Sequence, residues 1–309
     1  MSVSDTAVNG MFKLGVVVPA YNEELLIGDT IKSIPDYVDR IYVVDDCSVD
    51  RTSEVVKSFN DPRVVLIRHE QNKGVGGAIS TGYKQALEDG MDISVVMAGD
   101  NQMDPAHLMS LVKPVMDGRA DYTKGNRLLN ASYRNGMSAW RSFGNYMLTF
   151  LNKIASGYWH VEDPQNGYTA VSSKALAMLD LDRVYQGYAF ENDMLVRLNV
   201  FDGKVLNVPI PARYGKERSK IGYVPFIFKT SAYLVNALAW RIWNKYLVKL
   251  RPVGIFYLLG ILLMAAGLVV LLYDNYLVIV AGAVLFAGAV LIEAIADTRH
   301  YRKMRSVRQ

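Results

Sequence analysis

Apolar runs and polar breaks alternate along the chain from about Lys13 to Tyr223. Runs bounded by turn residues occur at Leu14–Val18, Ile41–Val44, Val64–Ile67 and Ile93–Met97. Helical spacing fills the gaps at Glu23–Ile34, Thr52–Phe59 and Val75–Glu88. This alternation predicts a mostly parallel sheet with helices on both faces. In such sheets ligands bind at the carboxyl ends of the strands, so the residues that follow each run are the ones to read for chemistry.

Beyond Tyr223 the pattern changes. Val253–Tyr273 and Tyr276–Ala296 are apolar stretches of 21 residues each, the second carrying one acid, Glu293. About 20 residues span a bilayer core. Only Asp274 and Asn275 separate the two, which predicts a transmembrane helix hairpin. Lys245, Lys249 and Arg251 flank one open end, and Arg299, Arg302, Lys303, Arg305 and Arg308 flank the other. The positive-inside rule then puts both flanks and the large N-terminal domain in the cytoplasm, as a multi-pass membrane protein. Two helices buried in a soluble core are the alternative. Ahead of the hairpin, Trp240, Trp243 and Leu247 fall on one helical face, and Arg241, Lys245 and Lys249 on another. That pattern suits a helix lying among lipid headgroups, or one packed on the catalytic domain. The expected division is a tail at 1–12, a catalytic domain at 13–223, an interfacial segment at 224–252, the hairpin at 253–296 and a basic cytoplasmic tail at 297–309.

Composition agrees with a soluble domain joined to a small membrane part: 51% of the 309 residues are hydrophobic. A formal net charge of +4 gives no reason to expect nucleic acid. Cys47 is the one cysteine, so no disulfide forms within the chain, which suits a reducing compartment. Met1–Phe12 is polar and has no apolar core of signal-peptide length.

Three acidic or polar segments follow strands: Pro19-Ala20-Tyr21-Asn22-Glu23-Glu24, Asp45-Asp46-Cys47-Ser48-Val49-Asp50 and Asp100-Asn101-Gln102-Met103-Asp104-Pro105. Each can reach one cleft. Carboxylates there suit hydrogen bonding to a nucleotide and holding a hard divalent cation on a diphosphate. Asp50 and Asp104 can equally be helix caps.

These segments, with Asn-Lys-Gly-Val-Gly-Gly-Ala at 72–78, resemble family 2 of the inverting glycosyltransferases over residues 13 to 223. The resemblance implies the GT-A fold, a mixed sheet with flanking helices. The C-terminal hairpin looks like that of the polyprenyl-phosphate sugar synthases, the group that includes dolichol-phosphate mannose synthase. On this resemblance Pro19, Ala20, Tyr21 and Glu23 would line the nucleotide of a UDP- or GDP-sugar. Asp45 or Asp46 would lie near the base, Ser48 beside it, and Gly74 and Gly77 would allow close backbone approach. Asp100 would face the diphosphate and, with Gln102, hold Mg²⁺ or Mn²⁺. Many relatives carry another acid where this chain has Ala98. Such ions keep several waters, so the site can survive with fewer carboxylates.

The second half offers Lys124-Gly125-Asn126-Arg127, Asp163-Pro164-Gln165-Asn166-Gly167-Tyr168, Phe190-Glu191-Asn192-Asp193 and a basic run at 213–220. By resemblance Arg127, Arg141, Arg213, Ser219 and Lys220 would grip an acceptor phosphate. Arg and Lys forks suit that task, and anionic lipid headgroups are the other use for the basic run. Asp163, Glu191 and Asp193 are read either as catalytic or as groups that orient the arginines. The expected activity is sugar transfer to a polyprenyl (dolichyl or undecaprenyl) phosphate. Transfer to a hydroxyl of a lipid-linked glycan or polysaccharide precursor is the alternative, and a non-catalytic sugar-nucleotide binder is a third reading. Homo-oligomerisation is left open.

Overall fold

The computed structural model describes residues 12–127, 139–211, 223–270 and 276–306. Seven strands form one mixed sheet: β1 (Leu14–Ala20), β2 (Arg40–Asp45), β3 (Val64–Arg68), β4 (Ile93–Val96), β5 (Tyr122–Asn126), β6 (Thr169–Ser172) and β7 (Val205–Pro209). Their order across the sheet is β3-β2-β1-β4-β6-β5-β7. Only β6 runs against its neighbours, β4 and β5. The carboxyl ends of β1, β2, β4, β5 and β7 therefore share one edge. The residues that lead into β6 arrive at that same edge, which brings 163–168 to the site.

The central strand β1 is buried along its whole length. It reads as a continuous apolar run because both of its faces are covered. Leu14, Val16 and Val18 pack with Ile27 and Ile31 of α1 (Ile27–Ser33), Val56 of α2 (Thr52–Lys57) and Leu108 and Leu111 of α4 (Leu108–Met116). Val17 faces the opposite layer, with Ile79 and Tyr83 of α3 (Val75–Glu88) and Phe190 and Met194 of α7 (Phe190–Val200). Two further helices, α5 (Ala139–Ser156) and α6 (Ser173–Ala177), complete the domain. A Cβ on Gly82 would meet Val17 at 2.3 Å, so α3 sits directly on the sheet. The helix expected from Glu23 begins only at Ile27. The N–H groups of Asn22, Glu23 and Glu24 donate instead to Ser48, Thr52 and Asp50 across the edge.

Helix α8 (Tyr223–Arg241) continues into a π-helical turn at Ile242–Leu247. It is followed by α9 (Pro252–Val270) and α10 (Leu277–Ser306). Both α9 and α10 are long and apolar enough to cross a membrane. They pack closely on each other, for a Cβ on Gly282 would lie 2.6 Å from the backbone N of Met264. Apolar residues such as Ile255, Leu262, Leu268, Val284 and Leu291 point outward. A surface of this kind needs an apolar surrounding. The connection through Asp274 and Asn275 lies outside the described residues.

Of the two uses left open for the segment ahead of the hairpin, its packing matches a helix laid on the catalytic domain. Leu234 and Ala237 of α8 pack on Ala155 and Val196 of the catalytic domain. Arg241 is fully buried, and its guanidinium donates to the carbonyls of Ala155 and Ile154 and to Glu293 of α10. Lys245 reaches Asn199 at 2.6 Å, and Lys249 donates to the carbonyl of Val200 at 2.6 Å. Arg241 and Lys245 turn inward onto Asn199 at the carboxyl end of α7, where a helix favours positive charge, while Lys249 stays exposed. Trp243 stays on the outside, 61% exposed. Helical spacing defines two faces but not which of them is buried. The far end of α10 is also docked: Asp297 Oδ2 accepts from His160 N–H at 3.1 Å and meets His160 Nδ1 at 2.7 Å, and Tyr301 stacks on the His160 ring at 4.1 Å.

Candidate active site

Ala20 sits where the ends of β1, β2 and β4 meet. Its carbonyl accepts from Asp46 N–H at 2.9 Å, while Gly99 N–H donates to Pro19 O at 3.1 Å. Three strand ends therefore meet around Pro19 and Ala20. Asn22, Cys47 and Asn101, one in each segment, have φ of 57°, 65° and 56°. Left-handed backbone is uncommon outside glycine and clusters at functional loops. Ser48 Oγ accepts from Asn22 N–H, and Asn22 Oδ1 accepts from Val49 N–H, so the first two segments are zipped together. Tyr21 is left 45% exposed on the rim.

Asp45 and Asp46 are both buried, and the protein uses their oxygens itself. Asp45 accepts from Ser48 N–H at 2.9 Å and from the Ser53 hydroxyl, with Arg68 at 3.7 Å. Asp46 accepts from Lys73 and Gly74 N–H, both at 2.8 Å, and meets His69 Nδ1 at 2.7 Å. His69 in turn meets Thr81 Oγ1 at 2.9 Å. These two carboxylates thus shape the loops that follow β2 and β3. Gly74 has φ +84°, and a Cβ there would meet Gln186 O at 2.6 Å. Gly77 N–H donates to the same carbonyl at 3.1 Å. What the glycines admit in this structure is the chain's own 185–187 segment.

The acidic loop is held differently. Asp104 caps the short turn at Pro105–His107 by accepting from Ala106 N–H, and Asp50 accepts from Thr52 N–H and Glu24 N–H. Both do the work of caps. Asp100 accepts from Gln102 N–H at 3.1 Å, and burial pushes its carboxyl above the ordinary range. Among the described residues no cationic side chain pairs with it. A half-buried carboxylate of this kind, beside an exposed Gln102, fits a divalent cation. Ala98, by contrast, offers only its N–H, which Met103 Sδ accepts at 3.3 Å.

The second half joins the first through the residues ahead of β6. Tyr168 donates its hydroxyl to Asp104 O at 3.0 Å. A Cβ on Gly167 would lie 3.3 Å from Met103 and 3.2 Å from Glu191 Oε1. Asp163 holds Arg127, with Nε at 2.8 Å and Nη2 at 3.1 Å. The guanidinium side chain stays 42% exposed while Asp163 is nearly closed off, so the pair fixes the arginine in place and leaves it partly open at the strand-end edge. Asp193 does not face the cleft. It is buried, accepts from Tyr185 N–H at 2.7 Å and Arg197 Nε at 2.8 Å, and braces the 185–187 segment. Of the two readings of Asp193, catalytic or orienting an arginine, this pairing with Arg197 accords with the second. Glu191 is different again: among the described residues no other side chain hydrogen-bonds its carboxylate. Burial pushes its carboxyl up, and the charge of Lys124 is the main opposing influence. The side chain of Arg141, together with Arg213, Ser219 and Lys220, lies outside the described residues.

Lys124, His69 and Gln186 received no role from the sequence. Lys124 lies fully buried on β5 with its ammonium donating to Asn166 O. A lysine in the middle of a buried strand was the available signal. For His69 the signal was its place directly after β3, whose carboxyl end was not read.

The family model described as Glycosyl transferase family 2 matches residues 15–186, more than half of the chain. UDP-N-acetylglucosamine–dolichyl-phosphate N-acetylglucosaminyltransferase of Methanococcus voltae is 32% identical over 214 residues, covering 64% of this chain and 85% of that protein. Undecaprenyl-phosphate mannosyltransferase of Micrococcus luteus is 29% identical, covering 63% and 81%. Dolichol-phosphate mannosyltransferase of Pyrococcus furiosus is 25% identical, covering 79% and 68%. Among solved structures, glucosyl-3-phosphoglycerate synthase of Mycobacterium tuberculosis, in complex with Mn²⁺, UDP and glucosyl-3-phosphoglycerate, superposes with a TM-score of 0.59. It is 21% identical and covers 77% of this chain and 82% of its own, a likeness of fold.

Proposed function

The chain belongs to glycosyl transferase family 2, and on that premise we propose that it moves a sugar, with inversion, from a UDP- or GDP-sugar to a polyprenyl phosphate at the cytoplasmic face of a membrane. The observation that carries the reading is Arg127, half exposed at the sheet edge and aimed by Asp163. The names of the relatives support it, and so do the two outward-facing apolar helices.

A phosphate acceptor is already an anion near neutral pH, so it needs little help from a general base. It needs placement in line with the anomeric carbon and relief from the charge of the donor diphosphate. One phosphate oxygen of the acceptor forms the new bond to the anomeric carbon as the bond to the nucleoside diphosphate breaks. Arg127 holds the acceptor phosphate, and its pairing with Asp163 fixes the direction of the fork. Pro19, Ala20, Tyr21, Glu23 and Ser48 line the nucleotide from one side of the cleft. Asp100 and Gln102 would hold Mg²⁺ or Mn²⁺, which would neutralise charge on the departing diphosphate. The hairpin keeps the cleft at the bilayer surface, where the acceptor headgroup lies.

One observation favours a second reading, transfer to a glycan hydroxyl. Glu191 has a carboxyl raised by burial, which suits a general base. The test incubates purified protein with labelled nucleotide sugars and either polyprenyl phosphate or lipid-linked glycan acceptors. Label on the polyprenyl phosphate is the expected result. Label only on the glycan overturns the first reading in favour of the second.

A further inference from the structure

Two cations and two carboxylates surround the segment that leads into β6. Lys124 projects from β5 and Arg127 follows its last residue, Asp163 comes from the segment itself, and Glu191 from the first turn of α7. Arg127 and Asp163 pair directly. Lys124 and Glu191 do not touch within 4.0 Å, but each is the leading opposite charge felt by the other. Lys124 spends one donor on Asn166 O, two residues before Tyr168 enters the site through Asp104. A buried ammonium costs several kcal/mol unless something in the fold needs its charge. Two carboxylates beside a site for a phosphate give it such a use, because like charges repel strongly where water is excluded.

We propose that Lys124 is a positioning residue for the acceptor side of the site: its ammonium pins the 163–167 segment to β5 and balances Glu191 and Asp163, so that a phosphate meets Arg127 without net repulsion. This rests on the acceptor reading above. With Lys124 charged, the four groups cancel. Without it they carry one net negative charge directly behind the arginine.

Burial lowers Lys124 to about 8, with Glu191 and Asp163 holding it up and Arg127 pushing it further down. Tyr83 on α3 and Tyr122 on β5 also feel Glu191, but burial keeps both phenols neutral across this range. The sign follows. Lys124 is charged below its own value and loses the charge as pH rises through about 8, so acceptor binding weakens on the alkaline side. Removing the Glu191 charge takes away support for the ammonium and moves that alkaline limb to lower pH.

The test compares Lys124→Met, Glu191→Gln and the double variant in detergent, with melting curves to confirm folding. Lys124→Met is expected to raise KM for polyprenyl phosphate at least tenfold and to leave KM for the nucleotide sugar within about twofold. The double variant is expected to recover most of the acceptor KM, and the alkaline limb is expected to vanish with Lys124. Equal damage to both substrates, no recovery in the double variant and an unchanged alkaline limb would overturn the role. Lysine side-chain NMR follows the Lys124 titration in wild type and Glu191→Gln without any acceptor, and so covers the case in which Lys124→Met does not fold. A titration that moves down in Glu191→Gln supports the charge balance, and one that stays put overturns it. Wild-type protein that fails to glycosylate polyprenyl phosphate, yet shows the moved titration, contradicts the acceptor reading alone.

Discussion

Arg241 and Glu293 form a two-pronged ion pair, Nη1 to Oε1 at 2.8 Å and Nη2 to Oε2 at 3.0 Å, with both side chains closed to solvent. Tyr257 of α9 donates to the same carboxylate at 2.7 Å. One network thus ties both apolar helices to the carbonyls of Ala155 and Ile154 in the catalytic domain. The hairpin is built into the enzyme and is more than a tether. Breaking one partner of a buried pair leaves an uncompensated charge and costs about 3–5 kcal/mol. Arg241→Met is therefore expected to lower the melting temperature of the detergent-solubilised protein sharply. Arg241→Met combined with Glu293→Leu is expected to recover much of the loss. Equal melting of wild type and Arg241→Met would contradict the network.

In the proposed reaction Asp163 aims Arg127. Asp163→Asn is expected to raise KM for the lipid acceptor about tenfold or more, as for other charge-pair losses at binding sites, while nucleotide binding is unchanged. Arg127→Lys is expected to resemble Arg127→Ala, because a lysine cannot present a fork. Steady-state kinetics with each substrate varied separately distinguishes these outcomes. Full acceptor affinity in Asp163→Asn would remove the aiming role.

The strand-end arrangement was legible from the chain because strands read as apolar runs and site residues follow them. Leu14–Val18 and Ile41–Val44 became the cores of β1 and β2. Two things were not legible. β6 runs antiparallel through pairings with β4 and β5, which are distant in sequence, and that reversal alone brings Asp163 and Gly167 to the active edge. Nor does residue type reveal which carboxylates are already engaged. Asp46, Asp100 and Glu191 look alike as acids after apolar segments. Only the backbone N–H groups of Lys73 and Gly74 show that Asp46 is used to shape a loop.

In the proposed reaction the divalent cation would be held through Asp100. Asp100→Asn is expected to abolish divalent-cation-dependent nucleotide binding. Ala98→Asp adds a carboxylate two residues before Asp100 and is expected to tighten Mn²⁺ about tenfold, since affinity follows ligand charge. Calorimetric titration of Mn²⁺ in the presence of nucleoside diphosphate reads both. Unchanged binding in Asp100→Asn would move the cation elsewhere.

Gly74 is a backbone requirement. At φ +84° and ψ 165° the backbone lies in a region essentially reserved for glycine, where a Cβ costs roughly 1–3 kcal/mol, and here it would also strike Gln186 O at 2.6 Å. Gly74→Ala is expected to lower the melting temperature and to raise KM for the nucleotide sugar, because the same turn is hung from Asp46. A variant with wild-type stability and KM would show that the turn and the 185–187 segment are not linked.

The central claim is that the sugar goes onto a lipid phosphate. Purified protein in vesicles, given polyprenyl phosphate and a labelled UDP- or GDP-sugar, allows the bond itself to be read by ³¹P NMR and mass spectrometry of the extracted lipid. A phosphodiester joining the anomeric carbon to the lipid phosphate, formed in step with free nucleoside diphosphate, is the predicted result. Lipid phosphate that remains a monoester while the label appears on a hydroxyl would contradict the account.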